Sequence, residues 1–346
     1  MTQRQGKMDS GVIITVLICT ALLVAIGAVL LVDATGRRGS GLSRVYELDA
    51  VRLASFDPNL ILYHEVGPPI ATGFERSRAL ALGANGRFYI AGDKAVHVLR
   101  DKGTLEQVIR LASEPHCVAV SAEGRLYVGL RDHVAVFDEA GQRIVSWEPL
   151  GERSFLSSIV VARDDVFVAD AGHAVVLRYD KTGQLIRRIG EKDPDRDIPG
   201  FIVPSPYFDL AVAPDGLLRV VNPGRTRIEA YTFRGDLEFF WGQNSIRIEG
   251  FCGCCNPANF AMLPDGRYVT AEKGLIRVKI YDADGVFEGV VAGPDELVVG
   301  GAARVFLSVE DAEASGFDVA VDPDGRIFVL DTIENTVRLF VEREKG

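Results

Sequence analysis

One strand pattern recurs six times between residues 79 and 341, and it limits the possible folds more than any other feature of the chain. Each copy reads as an alternating apolar strand, a tight turn, a second strand, a polar loop and a third strand. The six copies begin at Ala79, Cys117, Ser158, Asp209, Asn259 and Asp318. Five of the turns contain Asn-Gly, Glu-Gly or Asp-Gly, and glycine supplies the positive φ that tight hairpins need. The repeat therefore predicts six antiparallel units.

A fourth apolar strand follows each of the first five copies. These strands are Leu105–Leu111, Ile144–Trp147, Leu185–Ile189, Leu237–Trp241 and Phe287–Val291. Four antiparallel strands per unit are typical of β-propeller blades. The sixth copy ends at Val337–Val341, and Leu60–Val66 resembles the missing outer strand in length and alternation. We therefore expect an all-β, six-bladed propeller over residues 57–346, closed by this amino-terminal strand.

An uncharged apolar segment precedes the repeats. Gly11–Val32 has no charged residue over 22 positions, and as a helix it would extend roughly 33 Å, enough to cross a hydrocarbon core of about 30 Å. The apolar region of a cleaved signal peptide is usually shorter, at about 7–15 residues. We therefore predict a short tail at 1–10, one transmembrane helix at 11–32 that binds the lipid bilayer, and a flexible linker at 33–56.

The charges beside the apolar segment predict its orientation in the membrane. A short basic tail, here with Arg4 and Lys7, usually stays in the cytoplasm, so we expect the propeller outside the cytoplasm, in the periplasm.

The net charge of the whole chain argues against nucleic acid as a partner. The chain has 38 Lys and Arg against 48 Asp and Glu, a net charge of −10, whereas nucleic-acid binding requires a basic surface. We expect a protein partner in a membrane complex and no nucleic acid.

The repeats resemble those of the NHL family of six-bladed propellers over about residues 60–341. The resemblance rests on the run VAVDPDGRIFVLD at Val319–Asp331 and on a similar run at Leu210–Val221. NHL-like propellers include modules that bind proteins, RNA or ligands, and their relatives include amidating lyases and lactonase-type hydrolases. The resemblance therefore implies the fold more narrowly than it implies the function.

The residue at the start of each innermost strand faces the mouth of the central channel in this fold. Five of the six are polar or carry a thiol, and they are Cys117, Ser158, Asp209, Asn259 and Asp318. We predict a channel-mouth site that contains Ser158, Asp209, Asn259 and Asp318. The alternative is that these side chains only form hydrogen bonds and hydrate the axis, because buried polar groups need partners in any propeller.

Three cysteines lie close together in the segment GFCGCCNPANF at Gly250–Phe260. They are Cys252, Cys254 and Cys255. Soft thiolates suit zinc, copper(I) or an iron–sulfur cluster, so one hypothesis is a thiolate-bound metal. A disulfide or redox-active thiol pair is a second hypothesis, and inert packing is a third. Cys117 and His116, on the opposite blade, would add a fourth thiol and an imidazole to a metal site.

Other residues of the same face are candidates to act on these thiols. Glu272 and Lys273 lie in the loop after strand two of the fifth blade, and we interpret them as an exposed ion pair. Lys273 near a thiol would favour the thiolate. His133 and His173 lie in or beside the equivalent loops of the second and third blades.

Three functions are compatible with these residues. We expect a membrane-tethered protein- or ligand-binding or assembly module with a cysteine site on its ligand face, rather than an enzyme. The first alternative is a metal- or cluster-carrying subunit of a membrane electron-transfer system. The second is a calcium-dependent, lactonase-like hydrolase. Its calcium ligands would be Asp209, Asn259, Asp318 and Asn222.

Overall fold

The computed structural model describes residues 16–22, 54–100, 103–253, 255–299, 301 and 316–344. The chain divides into two units, Met1–Asp49 and Ala50–Gly346. Residues 16–22 of the first unit are helical, and the rest of the predicted span Gly11–Val32 lies outside the described residues. Among the described residues, no helix has the length and apolar character that a membrane crossing needs.

The second unit is built almost entirely from strands. Two short strands come first, β1 (Tyr63–Glu65) and β2 (Ile70–Ala71). The first sheet contains β3 (Ser77–Leu82), β4 (Phe88–Gly92), β5 (Ala95–Leu99) and β6 (Leu105–Arg110). The second contains β7 (Cys117–Val120), β8 (Leu126–Gly129), β9 (Val134–Phe137) and β10 (Arg143–Ser146). The third contains β11 (Leu156–Val161), β12 (Asp165–Asp170), β13 (Val175–Asp180) and β14 (Leu185–Ile189).

The remaining sheets follow the same order. The fourth contains β15 (Leu210–Val212), β16 (Leu218–Asn222), β17 (Arg227–Tyr231) and β18 (Leu237–Trp241). The fifth contains β19 (Asn259–Met262), β20 (Tyr268–Glu272), β21 (Arg277–Tyr281) and β22 (Phe287–Ala292). The sixth contains β23 (Asp318–Val321), β24 (Ile327–Asp331) and β25 (Thr336–Glu342). Short helical segments among the described residues of this unit are Pro58–Leu60, Pro194–Arg196, Pro223–Arg225 and Pro294–Leu297.

The sheets form a closed ring. The first strand of every sheet lies innermost and contacts the first strand of the next sheet, and β23 of the sixth sheet contacts β3 of the first. Adjacent strands within each sheet pair antiparallel. This arrangement confirms the predicted all-β, six-bladed propeller.

The outer position of the sixth sheet is occupied by strands from the amino-terminal side. β1 pairs antiparallel with β25, with Tyr63 opposite Glu342, and β2 also pairs with β25, with Ile70 opposite Val337. The sheet order is therefore β1-β25-β24-β23, and β2 also pairs with β25.

The turn chemistry explains why each hairpin forms where it does. Glycines with positive φ occupy the turn between strands one and two in five blades, for example Gly216 at 80° and Gly266 at 90°. Glycine adopts this conformation without the steric cost that a side chain adds.

Apolar side chains fill the space between every pair of neighbouring blades, because both faces of a blade are covered by its neighbours. In β20, Val269 and Ala271 pack in the cluster shared with the sixth sheet, whereas Tyr268 packs with Trp241 of the fourth sheet. A polar residue in such a strand is consequently enclosed between two blades and needs a partner there.

Candidate ligand face

The structure brings the predicted channel-mouth residues around one cavity of about 240 Å³ at the centre of the ring. The residues that line it include Cys117, Ser158, Asp209, Asn259, Asp318 and the neighbouring His116. They meet because each lies in the first part of an innermost strand or directly before it, and these strands surround the axis. We call this space the channel cavity.

The two carboxylates of the channel cavity join neighbouring blades. Asp209 accepts hydrogen bonds from Oγ of Ser158 in the third blade (2.6 Å) and from the backbone nitrogen of Phe260 in the fifth (2.8 Å). Asp318 of the sixth blade accepts a hydrogen bond from the backbone nitrogen of Leu80 in the first (2.7 Å). Their oxygens are therefore engaged in holding the ring together.

Two other residues of the cavity make the same kind of connection. Asn259 donates from Nδ2 to the carbonyl oxygen of Phe317 in the next blade, at 2.9 Å. The thiol of Cys117 donates to the carbonyl oxygen of Leu156, also in the next blade, at 3.6 Å. These contacts agree with the alternative interpretation, in which the polar residues around the axis form hydrogen bonds within the ring and do not make up a binding site.

Burial controls the protonation of these groups. Burial raises the pKa of Asp209 to about 6 even though its hydrogen bonds lower it. Burial, together with the negative charge of Asp209, raises the pKa of Asp318 to about 7. Burial also raises the pKa of the Cys117 thiol, which therefore stays protonated and packs as a small apolar side chain.

Asn222, the remaining predicted calcium ligand, lies elsewhere. It is fully buried and donates from Nδ2 to Glu229 (2.9 Å), while its Oδ1 accepts a hydrogen bond from the backbone nitrogen of Ile202 (3.1 Å). Across the described part of the chain, no group of three or more His, Cys, Asp or Glu side chains is arranged to hold a metal ion.

A second pocket of about 240 Å³ lies against the channel cavity and shares Arg78, His116, Ser157 and Asn259 with it. We call it the arginine pocket, because Arg76 and Arg78 are the charged residues that line it. Each guanidinium donates to one oxygen of Glu114, at 2.9 and 2.8 Å. One carboxylate therefore faces two guanidinium groups.

Aromatic rings form another wall of the arginine pocket. The imidazole of His116 packs on the ring of Phe155 with 4.3 Å between centroids. Burial and, to a smaller extent, the charge of Arg78 together lower the pKa of His116 to about 4. His116 is thus neutral at neutral pH. The ring of Tyr207 also lines the pocket, and Nζ of Lys273 lies 4.4 Å from its centroid.

The cysteine segment is held against the fifth blade. The backbone nitrogen of Cys252 donates to Oε1 of Glu272 (2.9 Å), and Asn256 donates from Nδ2 to the carbonyl oxygen of Cys252 (2.6 Å). Cys252 is half-buried against Ala54 and Leu275, and Cys255 is buried. Burial and the charge of Glu272 raise the pKa of Cys252.

The four-thiol site remains a prediction, because Cys254 lies outside the described residues. Within the described chain, Cys117, Cys252 and Cys255 do not join His116 in a metal-binding group. Cys117 lines the channel cavity, and Cys252 belongs to the small apolar cluster beside Ala54.

The exposed ion pair expected at Glu272 and Lys273 is wrong. Glu272 is only 1% exposed and binds Nε of Arg277 at 2.7 Å, with Nζ of Lys279 at 3.4 Å. The reason is register: Glu272 ends β20 directly opposite Arg277 of β21, on an enclosed face, whereas Lys273 lies in the loop and contacts Tyr207.

The sequence analysis missed the buried cations of the fifth blade. Arg277 and Lys279 are both enclosed, and Lys279 donates to the carbonyl oxygens of Ile248 (3.0 Å) and Gly250 (2.6 Å) just before the cysteine segment. Basic residues that alternate with Val278 and Ile280 inside a strand were the available signal. These contacts attach the loop that carries Cys252 to β21.

The two other predicted histidines each pair with a carboxylate of their own blade. His133 lies 2.7 Å from Asp132, and His173 lies 2.7 Å from Asp170. They occupy the loops between strands two and three, as expected, and do not line the arginine pocket.

The opposite face of the ring carries a wider depression of about 1180 Å³ between the hairpin turns. Its charged residues include both signs, for example Asp322, which pairs with Arg326 at 2.6 Å. Its walls also contain three turn prolines, which are Pro214, Pro264 and Pro323.

Comparisons with known proteins identify the fold. No protein-family model and no curated protein matches the chain. Among solved structures, virginiamycin B lyase from Staphylococcus aureus is similar, with 11% identity, a TM-score of 0.53, and coverage of 81% of this chain and 99% of that one. Hydrazine synthase from Kuenenia stuttgartiensis has 15% identity and a TM-score of 0.52, covering 82% of this chain and all of that one.

A third similar structure is the WD40 β-propeller domain of Doa1, with 14% identity, a TM-score of 0.51, and coverage of 78% of this chain and 79% of that one. Identities this low are evidence for the shared fold and not for a shared activity. The chain is a six-bladed β-propeller with propeller-type structural neighbours.

Proposed function

We propose that the protein is an NHL-type propeller, tethered to a membrane by residues 11–32, that acts as a binding or assembly module through the face that carries the arginine pocket. One observation carries the proposal. Arg76, Arg78 and the neutral His116 meet beside aromatic rings at a concave site on an otherwise acidic protein. Concave sites with a few converging polar groups are where proteins bind ligands and partners.

The channel cavity contributes less to binding than the arginine pocket. Its carboxylates, amide and thiol already connect neighbouring blades, so a ligand would have to replace these hydrogen bonds. The guanidinium groups of the arginine pocket share one carboxylate and retain N–H groups for a partner.

The face assignment is tested by photocrosslinking in membranes of the source organism. A photoactivatable amino acid at Glu75, beside the arginine pocket, should yield an adduct of one discrete mass. The same amino acid at Asp324, on the hairpin-turn face, is the control and should yield none. Adducts from Asp324 alone, equal adducts from both positions, or none from either would contradict the assignment.

The membrane tether is tested separately. The uncharged run Gly11–Val32 supports it, because its length suits a bilayer crossing. The full chain should stay with the membrane fraction in alkaline carbonate, and a chain that begins at Ser43 should be recovered in the supernatant. Complete release of the full chain by carbonate would show that residues 11–32 do not span the bilayer.

A further inference from the structure

We propose that the arginine pocket recognises a carboxylate attached to an aromatic body. The inference rests on the proposed binding function and specifies the chemistry of the ligand. Such a ligand is either a free aromatic acid or the carboxyl terminus of a protein that ends in an aromatic residue.

The charge of the pocket favours a monoanion. Arg76 and Arg78 bring two positive charges, and Glu114 neutralises one of them. The surplus of one positive charge would attract an anion and repel a cation. A single carboxylate matches this surplus of the two arginines and Glu114.

The available donors favour a carboxylate. A guanidinium has five N–H groups in a planar fork that fits the two oxygens of a carboxylate. Both arginines contact Glu114 through one terminal nitrogen only, and Nε of Arg78 is buried without a hydrogen-bond partner among the described residues. A bound carboxylate would supply acceptors for these N–H groups.

The neutral polar groups of the pocket are already used. Ser77 shares a hydrogen bond with Thr72 (2.8 Å), and Ser157 donates to the carbonyl oxygen of Phe208 (2.6 Å). In the described part of the chain, no hydrogen bond reaches the imidazole of His116. With these two hydroxyls engaged, the guanidinium N–H groups are the charged donors that remain for a ligand, and they favour an acceptor that carries negative charge.

The aromatic rings that line the pocket indicate what the carboxylate of the ligand is attached to. The tilted rings of His116 and Phe155, with 4.3 Å between centroids, and the ring of Tyr207 present aromatic surface beside the arginines. Aromatic rings prefer offset or edge-to-face contact with other rings. A space of about 240 Å³ suits one ring and its carboxylate rather than a larger molecule.

The experiment is calorimetric titration of the full chain in detergent with phenylacetate, and with phenylacetamide as its uncharged analogue. Phenylacetate should bind one per chain, and phenylacetamide at least about ten-fold more weakly, because the amide loses the charge-assisted contacts. Arg78→Gln should weaken phenylacetate binding by about ten-fold or more, and the matched control Arg110→Gln, on the outer strand of the same blade, should change it less than about two-fold.

Three results would overturn the proposal: equal affinity for both compounds, unchanged affinity in Arg78→Gln, or no binding of phenylacetate at about 10 mM. If Arg78→Gln does not fold, Arg76→Gln takes its place. A peptide that ends in phenylalanine identifies the source. Tighter binding of the free-acid peptide than of phenylacetate indicates a protein carboxyl terminus, and the reverse indicates a free acid.

These results are independent of the crosslinking test. If the crosslink from Glu75 forms but phenylacetate and the peptide do not bind, the binding face is right and the ligand chemistry is wrong.

Discussion

The carboxylate of Asp318 accepts a hydrogen bond from the backbone nitrogen of Leu80, with 2.7 Å between Oδ2 and N. This bond joins the last blade to the first across 238 residues of sequence. Asp209 makes the equivalent bond to Phe260 in the middle of the ring, at 2.8 Å. The two carboxylates that the sequence analysis considered as calcium ligands are thus connections between blades.

The stabilising effect of Asp318 should depend on pH. Its pKa is raised from 3.8 to about 7, so the folded state binds its proton more tightly than the unfolded state does. The resulting stabilisation is present below about pH 4 and is lost as the pH rises through about 7. The free energy of unfolding of the native protein minus that of Asp318→Asn should therefore fall by roughly 1–4 kcal/mol between pH 4.5 and 8.

Urea unfolding of both proteins at each pH measures this difference. The comparison also cancels the opposite effect of His116, whose lowered pKa adds stability as the pH rises from about 4. Asp324→Asn, at an exposed position of the same blade, is the control. Its difference from the native protein in the free energy of unfolding should stay constant between pH 4.5 and 8. A difference that is constant or grows with pH for Asp318→Asn would refute the expected linkage.

Deletion of residues 57–67 should disrupt the sixth blade. The deletion removes β1 and the contact between Glu65 and Nε of Arg338 (2.9 Å), which leaves part of β25 as an unpaired edge. Exposed strand edges pair with other chains, so we expect aggregation or loss of cooperative unfolding. Light scattering and thermal unfolding measure both. Removal of residues 33–43, a stretch of equal length in the predicted linker, is the control, and a melting temperature unchanged by the 57–67 deletion would argue against this role of β1.

Glu272→Gln should be strongly destabilising. The substitution leaves Arg277 and Lys279 as buried cations without their carboxylate, and an uncompensated buried charge typically costs about 3–5 kcal/mol. Glu191→Gln, in a surface pair with Arg188, is the matched control and should cost less than about 1 kcal/mol. Denaturant unfolding gives both values. Equal decreases in the free energy of unfolding of the two variants would mean that the buried pair stabilises the protein no more than a surface pair does.

Cys252 and Cys117 should differ in reactivity. Cys252 is half-buried, whereas Cys117 is only 4% exposed. Iodoacetamide should therefore modify Cys252 at least about ten times faster than Cys117 in the native protein, because access limits the reaction of buried thiols. Mass spectrometry locates the adducts, and the two rates should converge in denaturant. Faster modification of Cys117 than of Cys252 would contradict this packing.

Much of the fold was predictable because its signals are local. Alternating apolar residues and glycine turns act within a few neighbouring residues, so the outer strands Leu185–Ile189 and Leu237–Trp241 have the predicted bounds. The same turns aligned the six copies and correctly placed Asp209 and Asp318 around one cavity.

The partners of the site residues depended on the tertiary structure. Glu272 binds Arg277 and not the adjacent Lys273, because strand register and burial between blades decide which side chains meet. Arg78 and His116 share a pocket although they belong to different blades, which no local pattern indicates. Local periodicity specifies each blade, whereas the chemistry of the ligand face arises only when the closed ring brings residues of different blades into contact.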